Sequence, residues 1–234
     1  MTSAIRQLLD EISWEGNARR YRGGGLGKEN VLTVEVFQAL RLLPRSYFLG
    51  PMLKGVVTGD SSLSEALATD AEDLSVEVLP GDVTTTDGSV RVQPDVLISS
   101  GSTLTLVEAK AFRRAGFQPE QLGRELLVAR DLAQGRFPLL LLVLDAEPPV
   151  LVKGRGRQSV TAALESDLEL LAARGIDTSA TTVEVRWVTW HSLASQVKAA
   201  AATFVNADPS IERTIHRLAN DVIDAVNVHS GAAN

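Results

Sequence analysis

The run FPLLLLVL, residues 137 to 144, constrains the fold of this chain more than any other stretch. Its apolar residues do not alternate with polar ones, so the pattern is that of a strand buried on both faces rather than one with a wet side. It is far too short to cross a bilayer as a helix. Just before it, QPEQLGRELLVARDLAQG reads as a helix, with Leu122, Leu126, Leu127 and Ala129 on one side and Gly135 closing it. A buried strand reached through a helical crossover points to an α/β domain.

The preceding chain supplies the other strands. Residues 3 to 14 have the spacing of an amphipathic helix, and a loop rich in glycine and arginine follows. A second helix is expected from about Glu29 to Leu43, stopped by Pro44, with Leu32, Val36, Ala39, Leu40 and Leu43 as its apolar stripe. SSLSEALATDAED suggests a short helix. SVEVLPG, VRVQPDVLISS and TLTLVEAK read as strands separated by TDG and SSGS turns. The order over residues 29 to 145 is then helix, three strands, helix, strand, which predicts a mixed sheet. Downstream, PP at 148 and 149 and KGRGRQ read as loop. SVTAALESDLELLAARG reads as a helix, TTVEVRWVTW as a strand, and two helices close the chain. The last of them is capped by Asp208 with Pro209 in its first turn. The 234 residues are expected to form one domain, a core of about 29–145 with a C-terminal elaboration of about 146–234.

TLTLVEAK puts a carboxylate and an ammonium where a strand should stay apolar. Glu108 and Lys110 share a face with Leu104 and Leu106, because strand side chains alternate. If the SSGS turn centres on Ser100 and Gly101, Asp95 faces Leu106 and becomes a diagonal neighbour of Glu108, on the same face of the sheet. Two carboxylates converging in a half-buried site invite a divalent cation. Oxygen-only ligands suit Mg²⁺ or Mn²⁺. Such an ion polarises a phosphoryl oxygen and acidifies a bound water, while Lys110 can orient that water or neutralise charge on the phosphate. These are the ingredients of phosphodiester hydrolysis. Pro94 cannot donate to a ladder, so a bulge or an edge is required beside Asp95.

QPDVLISSGSTLTLVEAK resembles the core motif of the PD-(D/E)XK nuclease superfamily, with Pro94 and Asp95 as its PD and Glu108, Ala109 and Lys110 as its ExK. The resemblance implies a restriction-endonuclease-like αβββαβ core, a mixed sheet flanked by helices, with an N-terminal helix and a C-terminal strand and helices added. It implies that Asp95, Glu108 and the Ala109 carbonyl hold Mg²⁺ or Mn²⁺ and that Lys110 assists the nucleophilic water. It also implies an acid on the first helix, Glu29 with Glu35 as second choice. A glutamine is expected on the helix after ExK, Gln121 with Gln118 as alternative. The tyrosine of the RecB-like pattern is absent from that helix. Among 29 carboxylates, Glu108 is the only one followed two residues later by lysine.

Other features add less. RGGGLGKEN lacks the glycine, the Ser/Thr and the preceding strand of a phosphate loop. It reads as a loop whose Arg19, Arg20 and Arg22 could track a phosphate backbone, as could Arg113, Arg114, Lys153, Arg155 and Arg157. His191, His216 and His229 have no metal-ligand spacing. Trp187 and Trp190 are expected on opposite faces of one strand. The stripe of Ile211, Ile215, Leu218 and Val222 reads as core, with a homodimer contact as the alternative. There is no cysteine, which removes thiolate chemistry and fits a reducing, cytoplasmic setting. Charges at Arg6, Asp10 and Glu11 leave no secretory h-region in the opening MTSAIRQLLDEIS. A net charge of −6 argues against a general nucleic-acid coat but leaves room for a local basic groove. The sequence therefore predicts a metal-dependent nuclease without a membrane segment, with DNA favoured over RNA. The alternatives are a non-cleaving nucleic-acid-binding or assembly component of the same fold, and an α/β enzyme acting on a phosphorylated small molecule.

Overall fold

The computed structural model describes residues 26–57, 61–111, 116–179 and 182–230. The expected helix at residues 3 to 14 lies outside them. Helix α1 (Leu26–Leu42) starts three residues earlier than its pattern predicts. Helices α2 (Leu49–Val56) and α3 (Ser61–Thr69) follow. Strand β1 (Ser75–Val78) leads into a small hairpin, β2 (Val83–Thr84) and β3 (Arg91–Val92). VRVQPDVLISS is therefore not one strand. Pro94 interrupts it, and β4 (Val96–Ser99) belongs to a different sheet from β3.

β5 (Thr103–Lys110), helix α4 (Gln121–Ala133) and β6 (Phe137–Leu144) form the crossover, with β5 and β6 parallel. KGRGRQ is a hairpin, not a loop: β7 (Val150–Val152) pairs with β8 (Gly156–Gln158), turning through Gly154 at φ 78°. Helix α5 (Val160–Ala173), β9 (Glu184–Thr189), α6 (Trp190–Thr203) and α7 (Pro209–Ser230) complete the chain. The main sheet has the order β1-β4-β5-β6-β9, antiparallel across β1, β4 and β5 and parallel across β5, β6 and β9. This is a mixed α/β sheet flanked by helices. Among the described residues, no helix is long and apolar enough to cross a membrane.

The eight residues of β5 are all buried, as are the last six of β6, which the unbroken apolar run requires. One apolar layer joins Val107, Ala109, Leu141 and Val143 to α1, α2, α6 and α7. The other joins Leu106, Leu140 and Leu142 to α4 and α5. Trp190 is fully buried but opens α6 instead of ending β9, so it does not sit on a strand opposite Trp187, which is 39% exposed.

The register between β4 and β5 differs from the expected one by two residues. Leu97, not Asp95, lies opposite Leu106. The bend is still two residues, Gly101 and Ser102, with the Ser100 amide donating to the Thr103 carbonyl at 3.0 Å, but it sits one residue further along than expected, held there by Asp70. Its Oδ2 accepts from Ser100 Oγ (2.8 Å), the Ser102 amide (3.1 Å) and Ser102 Oγ (2.5 Å).

Helix α4 is set by α5. Asp167, 1% exposed, accepts from the Glu120 amide at 3.0 Å and the Gly123 amide at 3.3 Å, so a neighbouring helix supplies the N-terminal cap. A Cβ at Gly123 would meet Asp167 Cβ and Leu171 Cδ1 at 2.9 Å each. Gly123→Ala gains about 1 kcal/mol of helix propensity but overpacks this contact at a cost of about 1–3 kcal/mol. Urea unfolding is expected to show a net loss, and a stabilised variant would mean that α4 and α5 can separate freely at this point.

Candidate active site

Four elements converge at the C-terminal end of β5. The β4–β5 pairing brings Asp95, β5 itself brings Glu108 and Lys110, and the first turn of α1 brings Glu29 from one helical layer. The first turns of α4 bring Gln121 and Glu125 from the other layer. Crevices at the carboxyl ends of parallel strands are a usual place for sites in α/β sheets. The Asp95 amide donates to the Val107 carbonyl at 3.1 Å, although the ladder partner of Val107 is Val96. That one-residue offset is the bulge Pro94 demands. It leaves Asp95 Oδ2 accepting from the Ala109 amide at 2.7 Å.

Lys110 is the hub. Its Nζ lies 2.5 Å from Glu108 Oε1 and 3.2 Å from Glu29 Oε1, and 5.3 Å from the centre of the Phe117 ring. Glu29 Oε2 accepts from the Ala111 amide at 3.2 Å. Gln121 Nε2 donates to Glu108 Oε1 at 2.6 Å and to Glu125 Oε1 at 3.0 Å, which clamps two carboxyls together. The second oxygen of Glu125 is buried without a hydrogen-bond partner among the described residues. Glu108 is 3% exposed, Glu125 2% and Asp95 9%.

This burial governs the charges. Desolvation, reinforced by the negative charge of Glu108, holds the Asp95 and Glu125 carboxyls well above the ordinary carboxylate range. Desolvation also raises Glu29, against the opposing pull of Lys110 and the Ala111 amide. For Lys110, burial disfavours the charge, but Glu108, Glu29 and Asp95 together outweigh it and keep the ammonium firmly protonated.

Among the described residues, no three Asp, Glu or His side chains are already spaced to grip one cation. The Lys110 ammonium fills the gap between Glu29 and Glu108. The donor chemistry nevertheless fits a hard divalent ion: the acids are all carboxylates, and the Glu125 oxygen has nothing else to satisfy it. Ala109 is fully buried in register with Val143 of β6.

Of the two acids considered on α1, Glu29 reaches Lys110, while Glu35 is 3.1 Å from His229 on α7. Of the two glutamines, Gln121 reaches Glu108. The Gln118 amide donates to Gln121 Oε1 at 3.0 Å, and both side chains line the cleft. The cleft has a volume of about 560 Å³ and runs past Lys110 between the β2–β3 and β7–β8 hairpins. Lys153 lines it. Arg155 is committed to an ion pair with Asp167, and Arg157 donates to the Pro149 carbonyl at 2.9 Å. Arg19, Arg20, Arg22, Arg113 and Arg114 lie outside the described residues.

Glu125 and Arg124 were not singled out by sequence. The available signal was spacing: Glu125 is four residues after Gln121 and stands inside an otherwise apolar helix face.

No protein-family model and no curated protein matches the chain. Among solved structures, the crystal structure of a protein of unknown function, AF1548, aligns with 80% of this chain and 100% of its own, at 12% identity and a TM-score of 0.30.

Proposed function

We propose that this protein is a metal-dependent nuclease of the PD-(D/E)XK type, built on a restriction-endonuclease-like core and hydrolysing phosphodiester bonds, with DNA favoured over RNA. One observation carries the reading: a buried lysine on an E-x-K strand end is bonded at once to its own strand's Glu108 and to Glu29 of the first helix, at the foot of a cleft. Ion pairs this dry are costly to assemble and are weak evidence for stability alone, which favours a functional use.

Asp95, Glu108 and the Ala109 carbonyl would hold Mg²⁺ or Mn²⁺. When bound, the ion supplies Lewis-acid polarisation of a phosphoryl oxygen and acidification of a water. Gln121 fixes the rotamer of Glu108 through its 2.6 Å bond. Glu108 and Glu29 together fix Lys110 and keep it charged, so that its ammonium can meet the negative charge growing on the phosphate.

The test is a cleavage panel: plasmid, single-stranded DNA and RNA, each with Mg²⁺, Mn²⁺ or EDTA. Metal-dependent breakage of at least one polymer is expected, and intact polymers under every condition would end the proposal. The second reading is a non-cleaving nucleic-acid-binding component of the same fold. It is favoured by the absence, among the described residues, of three acids already spaced for a cation.

A further inference from the structure

The walls of the cleft bear on what kind of nucleic acid could reach Lys110. Arg91 on β3 is engaged by Asp82, so its charge is already matched. Two cations lining the same cleft have no ion pair among the described residues. One is Arg124, three residues after Gln121 on α4, whose Nε is buried without a partner there. The other is Lys153, at the turn between β7 and β8.

Lys153 is held in place from the side of the site. Its amide donates to the Phe117 carbonyl at 2.9 Å, and the Phe117 amide donates to the Leu151 carbonyl at 2.9 Å. The Phe117 ring in turn carries the Lys110 ammonium. The Arg155–Asp167 pair pins the same turn of the hairpin to α5. Lys153 is thus built onto the ring that seats Lys110.

The depth of the site selects the shape of the ligand. Glu108 and Asp95 are 3% and 9% exposed and do not line the cleft, which reaches the site only at Lys110, Gln121 and Glu125. At about 560 Å³ the cleft is on the scale of pockets that enclose a single small ligand. A duplex holds each phosphate on a stiff double backbone, and lowering one of them to Lys110 would drive the second strand into the hairpins. A single strand can bend its backbone into the cleft and splay its bases out of it. In a chain of net charge −6, unmatched cations on α4 and on the β7–β8 turn also attract a polyanion locally while the rest of the surface repels it.

We infer that the ligand of this cleft is a single nucleic-acid strand, and that Arg124 and Lys153 hold the phosphates on either side of the one presented to Lys110. This rests on the nuclease reading for the position of the reacting phosphate. Gln93 and Gln118, also on the cleft wall, are placed to meet sugars or base edges. Among the described lining residues there is no aromatic side chain, so the grip is electrostatic and directed at the backbone.

The experiment is fluorescence anisotropy with a labelled strand of roughly 15 nucleotides, as DNA and as RNA, and with the same DNA as a blunt duplex. The Glu108→Gln background keeps the strands intact. The single strand is expected to bind about tenfold or more tightly than the duplex. Arg124→Gln with Lys153→Gln should weaken it by about tenfold and flatten the plot of log K against log salt by roughly 1.4, at about 0.7 per lost phosphate contact. A thermal melt checks that the double variant is folded. Equal or tighter duplex binding, or an unchanged affinity and salt slope in a folded double variant, overturns the inference. The parent protein's behaviour separates the two ideas. Cleavage of duplex in preference to single strands defeats this inference and leaves the nuclease reading standing. Tight, salt-dependent single-strand binding with no cleavage under any metal supports the inference and defeats the nuclease.

Discussion

Replacing Lys110 with methionine will destabilise the metal-free protein by roughly 3–5 kcal/mol at pH 8, the usual result of removing one partner from a buried ion pair. The methionine keeps the volume and loses the charge. Glu29 and Glu108, which now share the ammonium, would face each other and Asp95 across a buried space. A loss of that size is a large part of the stability of a domain, and urea unfolding in EDTA measures it directly.

The same variant will change how stability depends on pH. In the parent, the Asp95, Glu29 and Glu125 carboxyls have folded pKa values above their unfolded ones. The folded state therefore binds more protons, and the stability this confers is complete below about pH 4 and is lost as pH climbs through the folded values. Lys110 has the opposite chemistry and its own window. Its folded pKa is also raised, so its contribution is complete below about pH 10 and lost only above that. Of these four groups, the carboxyls and not Lys110 set the slope between pH 5 and 9. Lys110 lowers the pKa of all three, so its removal moves their titration upward. The Lys110→Met variant should thus lose least at pH 5 and most at pH 8, at up to about 1.4 kcal/mol per pH unit for each extra proton held. Mg²⁺ should stabilise the parent more at pH 8 than at pH 5, because protons compete for the same oxygens. A variant as stable as the parent at pH 8, or one hurt more at pH 5, would show that Lys110 does not neutralise this cluster.

What the sequence revealed of this arrangement follows physical range. FPLLLLVL is a strand because burial on both faces is written in its own composition, and the α4 pattern is local as well. The spacing of Glu108 and Lys110 fixed them on one strand end, and the proline before Asp95 announced the bulge that the Asp95 amide makes. Long-range events were not legible. Asp70, some thirty residues upstream, holds the two-residue β4–β5 turn one residue further along, which moves the register by two. Asp167, from α5, caps α4 and takes the charge of Arg155, so an arginine that looked available is committed to structure. The KGRGRQ hairpin hides behind glycines that read as loop but serve its turn. Helix α2 hides behind Pro51, which a first turn tolerates. Glu125 is not legible in the sequence because a carboxylate inside an apolar helix face has no local reason to be there. Its reason is Gln121 and Glu108.

Glu108→Gln is the sharpest test of the chemistry, because it changes charge and almost nothing else. The amide keeps the shape of the side chain, and its oxygen can still accept from Gln121 and Lys110, so the melting temperature should stay within a few degrees of the parent. Metal binding should not survive. The substitution removes the carboxylate that Asp95 would share with a cation, and manganese titration calorimetry should show the site lost. Cleavage should fall by about a thousandfold or more, since Lewis-acid stabilisation is worth several kcal/mol and about 1.4 kcal/mol is a factor of ten in rate. Glu35→Gln is the matched control. It lies on the same helix as Glu29 but pairs with His229, and it should leave rate and metal binding unchanged. A folded Glu108→Gln protein that cuts at the parental rate would remove the metal centre from this strand end. One that keeps its manganese yet loses cleavage would instead make Glu108 the partner that orients Lys110, with the cation held by other oxygens.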